Sequence, residues 1–487
     1  MSRTVAVVPH SHWDREWYAP FESYRVRLIP MMDRLLDLLE AGGSIDHFHL
    51  DGQMALVDDY LEARPEARCR LERLVASGRV AVGPFYVLMD EFCVSAETIV
   101  RNLQLGMARA DSVGGGSPGA AARVGYLPDM FGHVAQMPQI LAQAGIGHAV
   151  VWRGVPAALA TRGFWWQGPD GSRVRAEYLP VGYASGAFLP KEASGLVRRM
   201  AAHEEEIAAF LGPDGDMLLM NGGDHQEPQA WLADLLAAAN QVQGHFRFHQ
   251  SGLAEFLSAQ PTEGLPTWTG ELRSGARAPI LMGVLSNRVD VKQAAAAAET
   301  ALEKMAEPLA ALWQPADLWP ADLLDRAWLE MIRNSAHDSI CACSADAVVR
   351  TVLQRYDSAL AISEEISASA LAIAGVATAA SGPLVVNSLP MTRGGVVELD
   401  LPGTEPPAGT QQLSAVPAGV VERGGRGRDL GRILAELAAE GCRGPAGRGV
   451  GARLEVVESA GGGAGAGGGA AAARGGVAGG GGGVAAG

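Results

Sequence analysis

With 487 residues the chain is long enough for two or three domains with cores of their own. A net charge of −15 without any dense run of Lys or Arg argues against a protein that holds nucleic acid by electrostatics. Five cysteines, few and odd in number, argue against a disulfide scaffold and for a reducing, cytoplasmic setting. No signal peptide is expected, because Met1-Ser2-Arg3 runs straight into a strand. Nor is a membrane span, since no apolar run reaches about 18 residues.

The first strand is Thr4 to Val8, a short β-branched run of the kind buried in parallel sheets. Pro9 stops the ladder, and the chain leaves the strand's carboxyl end as His10-Ser11-His12-Trp13-Asp14-Arg15-Glu16-Trp17. Open α/β sheets and barrels bind their ligands at that end. In an extended segment alternate residues share a face, so His10, His12 and Asp14 are predicted to point the same way. An imidazole with a carboxylate makes half a site for zinc or a similar divalent ion.

Tyr24 to Glu40 reads as an amphipathic helix ended by Gly42-Gly43. Further strands are expected at His47–Leu50, Arg79–Gly83, Arg123–Tyr126, His148–Trp152, Arg173–Leu179 and Met217–Met220. The alternation of strand and helix predicts an α/β fold, a parallel (β/α) barrel-like domain over residues 1–260. Polar clusters follow these strands repeatedly: Asp51-Gly52-Gln53, Asp90-Glu91, Pro128-Asp129-Met130-Phe131-Gly132-His133 and Asn221-Gly222-Gly223-Asp224-His225. They should therefore gather on one face. Trp165-Trp166 reads as core or rim. Gly222-Gly223 is expected to let a substrate approach the backbone closely.

Residues 261–378 change to long helical periodicity, read as a helical bundle. Cys341-x-Cys343 has no second pair at zinc-ribbon spacing and is read as two buried thiols. Residues 379–421 begin a β-sandwich-like domain, and 422–487 form a Gly-, Ala- and Arg-rich tail that cannot repay the entropy of folding. Such a tail fits either a flexible extension or a lost reading frame. Taken alone, Asp224 reads as a turn residue and His337 as a core histidine, while Asp90 and Glu91 either line a site or cap the next helix.

Five motifs in order change that balance. Pro9-His10-Ser11-His12-Trp13-Asp14-Arg15-Glu16-Trp17, Gly83-Pro84-Phe85-Tyr86 with Met89-Asp90-Glu91-Phe92, the run from Pro128 to His133, the run from Asn221 to His225, and Ala336-His337-Asp338-Ser339 resemble the glycoside hydrolase family 38 α-mannosidases, bacterial members above all. The resemblance covers about residues 4 to 390. It implies one zinc ion held by His12, Asp14, Asp129 and His337, with Asp129 as nucleophile in a retaining reaction and Asp224 as general acid/base. Trp17, Asp90, His225 and Asp338 become candidate substrate contacts. Asp338 also orients ligand or substrate from behind, and His10, His133 and His225 support the site. The expected partner is a mannose-containing oligosaccharide or a small α-mannoside, with no nucleic acid or membrane; a homo-oligomer stays open. Family members continue through further β-sandwich domains that help to finish the site, so the chain as written is expected to be poorly soluble or weakly active. Two other readings stay open: a remnant that binds metal or glycan without turnover, and a metal-dependent amidohydrolase, in which His10 and His12 would both hold metal.

Overall fold

A computed structural model describes residues 2–115, 122–212, 215–242, 244–378 and 384–391, and the backbone of four strands beyond them. Two compact units result: Met1–Ala298 with Trp328–Ala359, and Glu299–Ala327 with Leu360–Gly487.

In the first unit strands and helices alternate as the periodicity predicts. The order is β1 (Arg3–Pro9), α1 (Phe21–Ala41), β2 (Phe48–His49), α2 (Ala55–Ala63), α3 (Arg68–Ala76), β3 (Val80–Ala81), α4 (Ala96–Val113), β4 (Val124–Leu127), α5 (Met137–Gln143) and β5 (His148–Val151). It continues through β6 (Gly163–Gln167), β7 (Arg173–Tyr178), α6 (Ala193–Ile207), β8 (Met217–Asn221), α7 (Leu232–Val242), β9 (Phe246–Gln250), α8 (Leu253–Ala259) and β10 (Thr267–Thr269). Strands β6, β9 and β10 go beyond the strands expected from sequence. Among the described strands of this unit, β6 runs antiparallel to β7. It carries Trp166 into the core, fully buried, and leaves Trp165 half-buried.

β1 lies between β8 and β9, parallel to both. Val5, Val7 and Val8 are wholly buried, each contributing about 1.5–3 kcal/mol of apolar burial. α1 buries Tyr24, Leu28, Met31, Met32, Leu35, Leu36 and Leu39, the spacing of one helical face. α4 starts where the Ser95 hydroxyl accepts the Thr98 N–H at 3.0 Å. A second parallel ladder joins β4, β5 and β7, and a third joins β2 to β3. Between ladders, single backbone links continue the sequence of neighbours: His10 bridges His49, the Ala122 N–H reaches the Val82 carbonyl at 2.8 Å, and the Gly186 N–H reaches the Met220 carbonyl at 2.8 Å.

Where helical periodicity is predicted, the chain forms α9 (Val289–Glu299), a π-helical turn (Thr300–Ala306), α10 (Glu307–Trp313), α11 (Ala321–Asn334), α12 (His337–Cys341) and α13 (Asp346–Thr378). By length and composition alone, Asp346–Ala377 is apolar enough to cross a membrane, with a mean hydropathy of 1.5. The average comes mainly from Leu360, Ile362, Ile366, Leu371, Ile373 and Val376, while Ser363, Glu364, Glu365, Ser367 and Ser369 interrupt the run, so no unbroken apolar stretch of about 18 residues occurs here. The helix buries one periodic stripe, including Val348, Val352, Tyr356, Ala359, Ile366 and Ala370. Beyond it lie the strands Leu384–Asn387, Gly395–Pro402, Thr410–Ala415, Leu430–Leu437 and Glu455–Glu458. The last two fall within 422–487, where composition predicts no folding; most of that stretch is outside the described residues.

Candidate active site

The polar clusters after β1, β2, β4, β5, β7 and β8 converge. Strand register accounts for the first pairing. The β1–β8 ladder runs from Val5 opposite Met217 to Pro9 opposite Asn221. Past Pro9 it resumes as a bridge between His12 and Asp224, with the His12 N–H on the Gly223 carbonyl at 3.1 Å and the His225 N–H on the His12 carbonyl at 2.8 Å. Gly222 makes this approach geometrically allowed: a Cβ there would stand 1.9 Å from the His10 carbonyl oxygen. The space expected for substrate is thus taken by the protein's own backbone.

His12 and Asp14 come together as the period-2 reading predicts, with Nε2 and Oδ1 3.2 Å apart. His10 does not join them. Its Nε2 lies 2.9 Å from the Tyr183 carbonyl, and its ring packs near Tyr126. The parallel bridge to His49 ties His10 to the neighbouring strand, and the chain beyond it is not a regular strand. Strict alternation therefore fails there. Burial holds the His10 imidazole neutral, down to about 3, against the opposing pull of that carbonyl.

His337, the first residue of α12, approaches from a distant part of the chain. Its Nε2 is 3.4 Å from Asp14 Oδ1 and 3.8 Å from Asp129 Oδ2. One donor atom each from His12, Asp129 and His337 lies within 4.8 Å of the others, and Asp14, His337 and Asp338 form an overlapping group. A tetrahedral zinc with bonds of about 2.0–2.1 Å has ligand–ligand edges near 3.3 Å. The measured separations suit that geometry.

Hydrogen bonding points the same way. His12 Nδ1 faces Asp51 at 2.9 Å, and His337 Nδ1 faces the Leu88 carbonyl at 3.1 Å. Each contact calls for an Nδ1–H donor and so leaves the Nε2 lone pair aimed at the common centre. His12 Nε2 and Asp14 Oδ1 are buried and face each other, yet neither has a hydrogen bond of acceptable geometry. Two buried acceptors left in this way need a cation or a proton. Burial alone would lower both imidazoles, but Asp51 and Asp14 hold His12 well above its ordinary value, and Asp338, Asp14 and Asp129 push His337 up to about 10. The carboxylates thus favour positive charge here, which a divalent cation supplies more fully. The donor set fits a metal.

Asp129 also meets Arg153, whose Nε lies 2.7 Å from its Oδ1. The Tyr183 hydroxyl is 2.9 Å from Asp224 Oδ1 and 3.4 Å from Asp129 Oδ2, so one side chain spans both candidate catalytic carboxylates. Asp224 itself is exposed. His225 holds a left-handed backbone (φ 52°) and reaches Asp14 Oδ2 at 3.4 Å. Trp17 is half-buried beside Tyr18. Asp338 accepts from the Cys343 thiol at 3.0 Å, and burial pushes it up to about 7 despite the pull of His337.

Asp90 and Glu91 turn elsewhere. The Asp90 Oδ1 accepts the Phe92 and Cys93 N–H groups, each at 2.9 Å, and Glu91 takes His133 Nδ1 at 2.7 Å with the Val134 N–H at 2.8 Å. Neither caps α4, whose cap is Ser95. Glu16 of the opening motif accepts from Arg355 at 2.9 Å and Ser339 at 2.8 Å, fastening α12 and α13 to that segment. Sequence reasoning assigned no role to Asp51, Arg153 or Tyr183. Asp51 lies in one of the polar clusters named after strands but was given no role there, and the same rule could have found Arg153 and Tyr183, which also stand after strands.

Comparisons with known proteins identify the family. The N-terminal domain of glycosyl hydrolases family 38 matches residues 2–271, and the α-mannosidase middle domain matches residues 280–373. The chain belongs to glycoside hydrolase family 38. A protein of Halalkalibacterium halodurans, provisionally named a mannosylglycerate hydrolase, is 35% identical over 375 residues, 73% of this chain and 41% of its own length. Human alpha-mannosidase 2C1 is 25% identical over 411 residues, 82% of this chain and 38% of that protein. The crystal structure of an alpha-mannosidase from Enterococcus faecalis superposes with a TM-score of 0.76 at 29% identity, over 90% of this chain and 55% of that one. The chain thus spans about two fifths of the length of the curated relatives it matches.

Proposed function

We propose that this chain carries the catalytic centre of a retaining α-mannosidase acting on terminal α-mannosides, dependent on one divalent cation, zinc by its donor set. The observation that carries the proposal is the convergence of His12, Asp14, Asp129 and His337, with Asp224 joined to Asp129 through Tyr183. Bound there, the cation supplies Lewis-acid binding of vicinal hydroxyls on the sugar.

The protein's own groups divide the remaining work. Asp129 attacks the anomeric carbon and forms the glycosyl-enzyme bond, while Arg153 fixes the carboxylate so that its Oδ2 faces the site. Asp224, exposed at the mouth, gives its proton to the leaving oxygen and then takes one from the incoming water. Retention follows from the reading of Asp129 as nucleophile. Tyr183, touching an oxygen of each carboxylate, holds Asp129 and Asp224 on one site. We further read the linked ladders β1, β2, β3, β4, β5, β7 and β8 as a (β/α) barrel whose carboxyl-terminal face bears the site, followed by a helical bundle. The amidohydrolase alternative is disfavoured by His10, which turns away from the donor group.

The test is hydrolysis of an aryl α-mannoside by the purified chain with chelator, with zinc restored, and by Asp129→Asn. Activity should vanish with chelator, return with zinc and fall at least about 1,000-fold in the variant. Activity indifferent to both changes would reject the assignment. Stoichiometric zinc binding without turnover would favour the non-catalytic reading.

A further inference from the structure

A second group of donors has no part in this scheme. A carboxylate oxygen of Asp90 and the sulfurs of Cys93 and Cys341 all lie within 4.8 Å of one another. Asp90 and Cys341 are buried, at 1% and 0% exposure, while Cys93 is half-buried. They sit at the ends of two segments already joined through their backbones. The Asp90 N–H bonds the Ser335 carbonyl at 3.1 Å, the His337 N–H bonds the Leu88 carbonyl at 3.0 Å, and Met89 bridges Ala336. The carboxylate cannot swing freely, since its Oδ1 accepts two N–H groups.

We propose that Asp90, Cys93 and Cys341 form a second cation site, rich in thiolate and selective for a soft divalent ion such as zinc, that clasps the Met89–Cys93 segment to α12. Two thiolates and a carboxylate are a borderline-soft donor set, which alkaline-earth ions do not favour. In a tetrahedral thiolate site sulfurs stand about 3.8 Å apart, and small side-chain rotations cover the difference. Cys343 is not part of the set, because its thiol is committed to Asp338.

Without a cation the group is an uneasy one. Burial, the neighbouring Cys93 and the Asp90 carboxylate all hold the Cys341 thiol well above its ordinary range. That makes it a poor nucleophile for disulfide exchange. A cation reverses the balance: two sulfur–metal bonds form, both thiol protons leave to solvent, and the metal's charge offsets the thiolates and Asp90. Three protein ligands leave a fourth position, which water can fill from the Cys93 side. The clasp would steady α12, and with it His337 and Asp338, without touching the sugar.

Cobalt(II) titration of the full chain, stripped of metal under reductant, tests this directly. Cobalt bound by thiolate absorbs strongly in the near ultraviolet, whereas a site of imidazole and carboxylate gives no such band. Two equivalents should bind, with the charge-transfer band belonging to one of them. Cys93→Ser, at a half-buried position that tolerates the change, should lose the band and one equivalent while keeping the other. Cys341→Ser is a second variant, decisive where its metal-free unfolding midpoint matches the parent's. A parent that binds one equivalent without the band would overturn the proposal. So would a band that survives in Cys93→Ser, or a Cys93–Cys341 disulfide found in chain purified without reductant whose reduced form takes up no second metal.

Discussion

At the scale of single residues, the charges behind the metal ligands matter as much as the ligands. Asp51 is wholly buried, takes His12 Nδ1 at 2.9 Å and accepts the Trp13 N–H at 2.8 Å. Burial raises its carboxyl above the ordinary carboxylate range, although His12 beside it pulls the other way. Replacing it with Asn keeps the shape but removes the charge that fixes the tautomer and strengthens the ligand. Asp51→Asn should weaken zinc affinity about 10- to 100-fold in a competition titration, with turnover recovering at saturating zinc. A loss of turnover that zinc does not restore would show Asp51 to act on chemistry instead. From the residues alone only His12 and Asp14 read as half a metal site; Asp129 and His337 were named as ligands through the family resemblance, His337 by itself reading as a core histidine. Asp51 was named only as part of a polar cluster after a strand, with no role assigned, and Arg153 and Tyr183 were not named at all. Only the folded strands show that Tyr183 spans Asp129 and Asp224.

At the scale of elements, register decides where chemistry can occur. The β1–β8 ladder sets Asp224 opposite His12, and a one-residue slip would turn Asp224 away. Hydrophobic runs predicted β1, β4, β5 and β8 closely, because buried parallel strands leave continuous apolar stretches, whereas β7 (Arg173–Tyr178) shows the alternation of a strand with one polar face. Strand β6, at Gly163–Gln167, escaped notice because two adjacent tryptophans do not show an alternating pattern. The amphipathic helix α6 carries a buried histidine with consequences for acid stability. Burial, helped by Arg199 and Arg162, lowers His203 to about 4. The unfolded chain then binds a proton from about pH 6.5 downward that the folded chain refuses until about pH 4. Stability is therefore full above the higher value, falls as pH drops through this window, and is reduced by at most about 3 kcal/mol below it. His203→Gln should flatten unfolding midpoint against pH between about 4 and 6.5; an unchanged slope would assign the acid sensitivity to other groups.

At the scale of the whole molecule, the family and the α/β class were legible from motif order and strand–helix alternation. The extra strands and the residues behind the ligands were not, because they depend on contacts between segments far apart in sequence. His337 and Asp14 are the plainest case, as nothing local relates them. The chain spans 41% of its Halalkalibacterium halodurans relative, yet all the proposed ligands and both proposed catalytic carboxylates lie between His12 and His337. Chemistry at Asp129 is thus the claim on which the account rests. The most direct measurement is intact and peptide mass spectrometry of the zinc-loaded chain after treatment with a slow-reacting fluorinated mannosyl fluoride. The account predicts a single fluoroglycosyl adduct on the peptide that carries Asp129, absent from Asp129→Asn. An adduct on Asp224, or steady hydrolysis without any adduct, would contradict it.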